Sequence, residues 1–274
     1  MKTWRVIVSP DIDPYMNMAV DEALLQTYNV NKQMPVLRFY RWKIPAVSIG
    51  VSQKPLEALN LASMRARNIV FVRRMTGGEG IYHDAEITYS MVCSKQDLEL
   101  PDSVRKSFRV ITNFILDAYR EFGLKPYYAG DTQEYLHGRA ASFCYSTREH
   151  FDVMIDGKKL GGNAQKRKGD IIFQHGAIPL RLNFPAIKRC FKGKLGDIEN
   201  NIISLSQACG KEINFDAGVN KLKKSFARVF SIKALKSFLS EYELDLAHTL
   251  HRKKYKTEDW NYFRLCRNMK KEGG

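Results

Sequence analysis

The stretch FDVMIDGKKLGGNAQKRKGDIIFQHGAIPL, residues 151–180, decides the fold because two turn signals divide it into three strands. Asp156-Gly157 is a dipeptide that favours a two-residue β-hairpin turn, and Lys168-Gly169-Asp170 is a second turn signal. Residues 151–155 alternate apolar and polar side chains, as half-buried strands do. Residues 171–180 form the third strand. The stretch therefore predicts an antiparallel meander.

Strands and helices alternate on the N-terminal side of this meander. Asp13 and Pro14 fit the N-cap and the first position of a helix, and apolar residues at steps of three and four predict another helix over residues 102–122. We therefore expect an α+β fold, with a mixed, mostly antiparallel sheet flanked by helices. The other predicted elements are strands at residues 4–8, 36–40, 46–49, 69–72 and 87–93 and helices at residues 14–28 and 56–67.

The last third of the chain is its most basic part. The 274 residues include 44 Lys and Arg against 29 Asp and Glu, a net charge of +15. Residues 181–274 contain 20 of the basic and 10 of the acidic residues, a net charge of +10. We expect a core over residues 1–182 and a basic helical part over residues 183–274 that packs on this core rather than forming an independent domain. The charge favours an acidic partner, although a solvated helical face would have the same composition.

The sequence argues against several classes of protein and site. No run approaches 18 apolar residues, so no membrane span is predicted, and residues 1–9 lack the apolar segment of a signal peptide. Five cysteines, without a C-x-x-C pair, fit a reducing cytoplasm and argue against a zinc or redox pair. His248 and His251 lack a third ligand, so we predict no metal site. A nucleic-acid-binding module without catalysis would explain the charge, but the aromatic and basic residues do not interleave as they do in single-strand binders.

A glycine-rich stretch follows the predicted strand at residues 69–72. It consists of RRMTGGEGIYHD, residues 73–84, and its glycines, Gly77, Gly78 and Gly80, would allow the backbone to approach a ligand closely. Neither the dinucleotide-binding fingerprint nor the P-loop spacing is present. The stretch is therefore either a ligand-binding loop or an ordinary hairpin turn.

Three side chains near the meander could take part in chemistry. Cys144 lies in a polar loop with arginines nearby in sequence, so it is either a thiolate nucleophile or a small buried hydrophobe. Lys159 lies opposite Met154 across the Asp-Gly turn, and it is either a surface lysine or a buried cation aimed at a carbonyl oxygen or a thiolate. His175 lies in the middle of a strand, where a structural histidine is the commoner outcome.

Taken together, these segments resemble the family of lipoate–protein ligases and octanoyltransferases, whose fold is shared with biotin–protein ligase. The arginine–glycine–His-Asp stretch combined with the Asp-Gly-Lys-Lys segment is specific to this family, and the matches follow the family order along nearly the whole chain. The matching segments are MNMAVDEALL (16–25), VLRFYRWKIPAVSIGVSQ (36–53), FVRRMTGGEGIYHDAEITYS (71–90), DGKKLGGNAQKRKGDIIFQHGAIPL (156–180) and EYELDLAHTLHRKKYKTEDWNYFR (241–264).

Within the family the chain is most similar to the cysteine-dependent octanoyltransferases of Gram-positive type. The resemblance implies an acyltransferase that moves an octanoyl group from acyl carrier protein to a lysine of the glycine-cleavage H protein, as a step of protein lipoylation and lipoate biosynthesis. It implies a cytoplasmic enzyme without a cofactor, and we expect a monomer that binds neither nucleic acid nor membrane. Cys144 would carry the octanoyl group as a thioester. The ammonium of Lys159, fifteen residues later, would stabilise the thiolate and could donate to the reacting carbonyl oxygen.

The resemblance also implies a narrow apolar slot for the octanoyl chain. The three glycines of residues 77–80 would form one wall, and residues 161–164 would form another. His83 would lie near the reacting carbonyl and His175 behind the residues that touch the substrate, and which of the two moves a proton is left open. The full set of predicted substrate-binding residues is Arg74, Thr76, Gly77, Gly78, Gly80, Tyr82, His83, Gly161, Gly162, Asn163, Ala164, His175 and Gly176.

Two other activities on the same fold remain as alternatives. One is an ATP-dependent ligase for lipoate or octanoate, and the other is an amidotransferase that passes lipoyl or octanoyl groups between proteins. The family's ATP-dependent ligases typically lack a cysteine at the position of Cys144, and many have an arginine where this chain has Met75. Many also have a separate C-terminal accessory domain, for which the chain leaves little room.

Overall fold

Strands and helices alternate along the chain. The computed structural model describes residues 1–29, 33–132, 149–193, 195 and 197–266. The strands are β1 (Thr3–Val8), β2 (Val36–Tyr40), β3 (Ala46–Ile49), β4 (Val70–Arg73), β5 (Ile81–His83), β6 (Glu86–Ser94), β7 (Tyr127–Tyr128), β8 (Val153–Ile155), β9 (Lys158–Lys159), β10 (Gly162–Lys168), β11 (Ile171–Pro179) and β12 (Lys233–Lys236). The α-helices are α1 (Pro14–Thr27), α2 (Pro55–Ala58), α3 (Leu61–Arg65), α4 (Val104–Arg120), α5 (Phe184–Cys190), α6 (Ile198–Asn201), α7 (Leu205–Cys209), α8 (Phe215–Val229), α9 (Glu241–Leu250) and α10 (Glu258–Phe263).

One large sheet and two small ones make up the described β-structure. The large sheet has the strand order β10-β11-β6-β2-β1-β12; its pairs are antiparallel from β10 to β2 and parallel at β2–β1 and β1–β12. The small sheets have the orders β4-β3-β5 and β7-β8-β9. This architecture confirms the predicted α+β class and its mixed, mostly antiparallel sheet. Of the helices in the described part of the chain, none combines the length and the apolar character that a membrane span requires.

The large sheet is covered on both faces. On one face, α4 and α8 pack over side chains such as Leu37 and Tyr89. On the other face, α1 lies between the sheet and α9, which explains why nearly every side chain over residues 16–25 is buried. A third apolar cluster joins the β4-β3-β5 sheet to α5. The helices therefore enclose the sheet, and the β4-β3-β5 sheet adds to the apolar core on the side of α1.

The prediction of one continuous helix over residues 56–67 is wrong. The structure has two short helices, α2 and α3, with a break at Leu59 and Asn60. Leu59 is buried and forms an isolated bridge with Phe191, while the Asn60 side chain accepts a hydrogen bond from the Ser63 N–H at 3.1 Å and caps α3. A contact with a distant residue and a capping side chain therefore interrupt the helix that the apolar pattern predicts.

The meander contains the predicted Asp-Gly turn, but its second strand is broken. Asp156 and Gly157 have φ values of 47° and 74°, which both lie in the left-handed region that a type I′ turn requires. The predicted return strand divides at Gly161, whose φ is +91° and whose Cβ, if present, would lie 2.5 Å from the Ala177 carbonyl oxygen. Glycine is therefore required where the chain passes from the small β7-β8-β9 sheet into the large one.

The C-terminal part is not purely helical, because β12 adds a strand to the edge of the large sheet beside β1. All four of its residues are exposed. The strand therefore lacks the alternation of apolar and polar residues by which a half-buried strand is predicted from sequence. Other residues of this part contact the core closely: Lys254 Nζ donates to Glu22 of α1 at 2.7 Å, and Arg73 donates to the carbonyl oxygen of Trp260 at 2.9 Å. The division at residue 182 stays a prediction.

A buried ion pair joins α1 to the large sheet. Arg38 on β2 is fully buried, and its Nη1 lies 2.7 Å from Asp21 Oδ1. The same carboxylate accepts hydrogen bonds from Tyr40 at 2.9 Å and Ser90 at 2.7 Å. Burial alone would raise the pKa of Asp21, but the Arg38 guanidinium, the His175 ring and the hydrogen bond from Ser90 hold it below its usual value. The pair therefore remains ionised inside the protein.

Replacing Asp21 with Asn should destabilise the protein strongly, because the guanidinium of Arg38 would remain buried without its counter-charge. We expect a loss of about 3 to 5 kcal/mol in the free energy of unfolding, measured by urea denaturation. Glu57→Gln, which removes an exposed ion pair with Lys54, is the control and should cost less than about 1 kcal/mol. Equal effects of the two variants would contradict the proposed importance of the buried pair.

Candidate functional site

Two adjoining cavities lie between the glycine-rich loop and the first residues of β10. The inner cavity, here called the slot, spans about 310 Å³ of space between atoms, part of it open to solvent. The outer cavity, here called the vestibule, spans about 930 Å³, also counted with the space open to solvent. Arg74, Ile81, Gly162, Asn163 and Ala164 line both. The slot is further lined by Met18, Tyr40, Trp42, Ser48, His83, Thr88, His175, Gly176 and Ala177. The vestibule is further lined by Gly77, Gly78, Glu79, Val104, Phe108, Glu149, Phe151, Asp152, Lys159 and Gln165.

Arg74 holds the glycine-rich loop in place. Its guanidinium is buried and donates to the carbonyl oxygens of Gly77 at 2.8 Å, Glu79 at 2.7 Å and Ser48 at 3.1 Å. Gly50, directly after β3, approaches the loop so closely that a Cβ there would lie 1.8 Å from the Gly78 carbonyl oxygen. The predicted substrate-binding residue Arg74 therefore lines both cavities and also organises the loop that borders them.

The residues predicted on the glycine-rich stretch divide between the cavities and the packing behind them. Gly77 and Gly78 line the vestibule, and His83 lines the slot. Gly80 instead packs against Phe191, since a Cβ there would lie 2.5 Å from that ring. Tyr82 belongs to the apolar cluster around α5, because alternate residues of β5 face opposite sides of the sheet. The structure therefore brings only part of this set to the cavity walls.

The polar side chains around His83 bond to one another. The ring of His83 stacks on Trp42 with 3.9 Å between centroids, its Nε2 lies 2.7 Å from Ser48 Oγ, and its Nδ1 lies 2.8 Å from Glu86 Oε1. Thr88 donates to the same Glu86 oxygen and accepts from Trp42 Nε1 at 2.9 Å. With these polar atoms occupied, the slot offers mainly ring faces and carbon atoms to its contents, which suits an aliphatic chain.

His175 and Thr76 lie together beside the slot. Thr76 Oγ1 is 2.8 Å from His175 Nε2, and His175 Nδ1 is 3.8 Å from Asp21 Oδ2. Burial lowers the pKa of His175 even though the Asp21 carboxylate opposes this effect, so the imidazole is neutral near pH 7. Thr76 thus contacts His175, and it is not among the residues that line either cavity.

The wall predicted at residues 161–164 and at Gly176 lies where strands β10 and β11 pair. Gly162, Asn163 and Ala164 line both cavities, and Gly176, the pairing partner of Asn163, lines the slot. Asn163 Oδ1 accepts a hydrogen bond from the Tyr89 hydroxyl at 2.6 Å. Gly161 lines a small third cavity together with Lys159. The structure therefore brings this predicted set together beside the slot.

Lys159 is a buried cation, so the surface interpretation of this lysine is wrong. It pairs with Met154 as the hairpin predicts, but its side chain is 7% exposed and its Nζ lies 2.8 Å from Asp152 Oδ2. Asp152 is 2% exposed in its side chain, and it also accepts a hydrogen bond from the Glu149 N–H at 2.8 Å. The ion pair therefore fixes an ammonium in the wall of the vestibule.

Asp152 is not among the predicted site residues, although the sequence contains a signal for it. Asp152 and Met154 lie on the same face of the β8 segment, since they are two residues apart, and Met154 is the partner of Lys159. Diagonal neighbours on one face of a hairpin are within reach of long side chains. An acid placed diagonally from a lysine across a two-residue turn therefore predicts this pair.

Cys144 lies outside the described residues. Glu149, five positions later in the sequence, is described and lines the vestibule. Burial raises the pKa of both Cys93 and Cys190, that of Cys190 to about 11, which makes these two thiols poor nucleophiles at neutral pH. Within the part of the chain that the structure describes, no group of three His, Cys, Asp or Glu side chains could hold a metal ion.

Comparison with known proteins identifies the family. Residues 13–227 match the model of the lipoyl protein ligase A/B catalytic domain. A protein of Bacillus subtilis (strain 168) named octanoyltransferase LipM is 33% identical over 276 residues, which cover 96% of this chain and 99% of the relative. The octanoyltransferase LipM of Brevibacillus brevis is 32% identical, with 95% of this chain and 99% of the relative covered. The predicted resemblance is thereby confirmed.

Solved structures share the fold. The crystal structure of a lipoate-protein ligase A bound with ATP matches with a TM-score of 0.83 and 25% identity, and the match covers 97% of this chain and 100% of that one. The bi-partite lipoate protein ligase of Thermoplasma acidophilum, studied with its E2 lipoyl domain, has a TM-score of 0.80 at 23% identity, with 98% and 100% covered. With the family model matching most of its length, this chain belongs to the lipoyl protein ligase A/B catalytic domain family.

Proposed function

We propose that this protein transfers an octanoyl group from acyl carrier protein to a lysine of a lipoyl-domain protein, the glycine-cleavage H protein in the first instance, through a thioester on Cys144. The observation that carries the proposal is the position of the buried Lys159 ammonium in the vestibule, next to a slot walled by aromatic and carbon atoms. The relatives named octanoyltransferase, which match along nearly the whole chain, support it.

The chemistry proceeds by two acyl transfers. The Cys144 thiolate attacks the carbonyl carbon of the donor thioester; the new C–S bond forms, the old one breaks, and the carrier's thiolate leaves. The acyl-enzyme thioester is of nearly equal energy to the donor thioester. An amine of the acceptor lysine then attacks the same carbon and forms a more stable amide, and Cys144 is released.

Lys159 supplies the positive charge that this route needs. At its usual pKa of about 8.5 a cysteine is only a few per cent ionised near pH 7, and an adjacent cation favours the thiolate. The same ammonium can donate to the carbonyl oxygen as negative charge develops there. Asp152 Oδ2 lies 2.8 Å from the ammonium and holds it in position, and the same carboxylate accepts a hydrogen bond from the N–H of Glu149.

The basic C-terminal part supports acidic partners. Residues 181–274 carry a net charge of +10, and charge complementarity of this kind accelerates encounter between proteins and is screened by salt. Acyl carrier proteins and lipoyl domains of this family's reactions are typically acidic. A basic surface of this size suits an octanoyl donor and an octanoyl acceptor that are both acidic proteins better than it suits small substrates.

Intact mass spectrometry after incubation with octanoyl-acyl carrier protein tests the covalent route. We expect one octanoyl adduct on the wild-type protein and none on Cys144→Ala. Cys266→Ser, which removes a cysteine that the structure shows to be exposed, is the matched control and should keep the adduct. A folded wild-type protein without an adduct, or an adduct that survives Cys144→Ala, would contradict the proposal.

Parallel reactions separate the proposed activity from its two alternatives. A ligase would modify the H protein with free octanoate and ATP, and this activity would survive the loss of Cys144. An amidotransferase would use octanoylated H protein as the donor for another lipoyl domain. We expect octanoyl-acyl carrier protein to be the preferred donor, and modification that depends on ATP would instead favour the ligase.

Substituting Lys159 with Met should slow formation of the octanoyl adduct at pH 7 by about tenfold or more, because the thiol would lose a shift of about one pKa unit. The rate should recover as the pH rises, since the cysteine then ionises without help. Lys158→Met is the matched control, because Lys158 lies in the same hairpin but donates to the Glu199 carbonyl oxygen instead. A loss of rate that is the same at all pH values would show that Lys159 does not act on the ionisation of Cys144.

A further inference from the structure

Glu79 is an acidic side chain of the glycine-rich loop to which the proposed reaction has assigned no role. It lines the vestibule together with Lys159, Asp152 and Glu149. Its backbone carbonyl accepts the 2.7 Å hydrogen bond from Arg74, which fixes the point from which the side chain starts. Its Oε2 atom is buried and has no hydrogen-bond partner among the residues that the structure describes.

The described charged groups of the vestibule leave an excess of negative charge when ionised. Lys159 and Arg74 are positive, whereas Glu79, Glu149 and Asp152 are negative. Asp152 is already paired with Lys159 at 2.8 Å, and the Arg74 guanidinium is directed to backbone carbonyls. A carboxylate oxygen buried without a partner is unfavourable, and an ammonium group that enters the vestibule would provide one.

The acceptor of an acyl group in this reaction is a lysine, whose ammonium cannot attack a carbonyl carbon. The amine must lose a proton first, and at a usual pKa of about 10.4 little of it is neutral at pH 7. A general base at the point of entry is therefore needed. We propose that Glu79 binds the ammonium of the acceptor lysine and takes its proton, which makes Glu79 a catalytic residue of the second acyl transfer. This inference rests on the proposed function.

The second acyl transfer moves two protons away from the attacking nitrogen. One proton passes from the ammonium to the Glu79 carboxylate, and the nitrogen lone pair forms the C–N bond with the thioester carbon. The C–S bond breaks, and its electron pair leaves with the Cys144 sulfur. The second proton of the nitrogen goes to that sulfur, and Glu79 later releases its own proton to solvent. The acyl group ends as an amide and the cysteine as a thiol.

The two histidines of the site are engaged in other contacts, and the other glutamate of the vestibule is exposed. Both ring nitrogens of His83 contact Ser48 and Glu86, and His175 Nε2 contacts Thr76 in the wall beside the slot. Glu149 is exposed, so its carboxylate keeps its solvation. Glu79 is the more buried of the two glutamates, and burial and Glu149 raise its pKa against the opposing charges of Lys159 and Arg74. A carboxylate with a raised pKa is a better proton acceptor near neutral pH.

The two half-reactions test the role of Glu79 separately from the proposed function. Glu79→Gln keeps the size of the side chain and removes its charge. We expect the octanoyl adduct to form from octanoyl-acyl carrier protein at a rate close to that of the wild type. Transfer from the isolated octanoyl-enzyme to the H protein should fall about 100-fold or more, the lower end of the range for loss of a general base. Glu57→Gln, an exposed glutamate, is the control.

Hydroxylamine and the pH profile distinguish a base from a structural residue. Hydroxylamine is neutral at pH 7 and needs no base, so it should remove the octanoyl groups from the wild type and from Glu79→Gln at equal rates.

The pH profile is a second test. The wild-type transfer rate should fall as the pH drops through the pKa of Glu79, because the protonated carboxyl cannot accept a proton. This decline should be absent in Glu79→Gln. Glu79→Asp keeps a carboxylate and should retain the decline with partial activity.

Three results would overturn the role of Glu79. The first is that Glu79→Gln transfers the octanoyl group to the H protein at the wild-type rate. The second is that Glu79→Gln reacts more slowly than the wild type by the same factor with hydroxylamine and with the H protein. The third is that the pH profile of transfer is unchanged by the substitution. In each of these cases the octanoyl adduct would still form, so the proposed transferase would stand. A wild-type protein that forms no octanoyl adduct would overturn both proposals.

Discussion

The hydrogen bonds of the buried Arg74 guanidinium to backbone carbonyls are the constraint on which the site depends. A charge inside a protein is tolerated only when its hydrogen-bonding groups are satisfied. Arg74 meets this requirement with the carbonyl oxygens of Gly77, Glu79 and Ser48. The loop cannot move away without leaving the cation unsatisfied, and the cation cannot be accommodated without the loop. The backbone positions of Gly77 and Glu79, and with them the point from which the Glu79 side chain starts, follow from this mutual requirement.

The slot achieves an apolar character with residues that are polar by type. Histidine, serine, threonine and glutamate surround it, yet the hydrogen bonds among His83, Ser48, Glu86 and Thr88 are directed within the wall. Hydrogen bonds of buried groups to one another lower the cost of removing those groups from water. The vestibule differs, because ionised groups line it and Glu79 contributes an oxygen without a described partner. The site therefore separates a mainly apolar compartment from a more strongly charged one.

Local signals predicted a large part of the fold, and long-range contacts account for what they missed. The helix start at Asp13 and Pro14 and the Asp-Gly turn depend on neighbouring residues alone, and both occur as expected. The break before α3, the added strand β12 and the burial of Lys159 depend on residues distant in sequence or across a hairpin. The glycines show the same limit: sequence analysis recognised that Gly80 permits a close approach, but the group approached is Phe191 rather than a cavity.

The bend at Gly161 limits how the enzyme can adapt to acyl groups of different size. Three peptide units connect the backbone of Lys159, whose side chain lines the vestibule, to Gly162, which lines both cavities. A side chain at the bend would collide with the Ala177 carbonyl oxygen. On the proposed route the carbonyl reacts beside Lys159 and the hydrocarbon chain enters the slot at Gly162, so a short stretch of backbone links the two positions. Longer or shorter acyl groups would have to be accommodated deeper in the slot, around Met18 and Trp42, which the vestibule does not share.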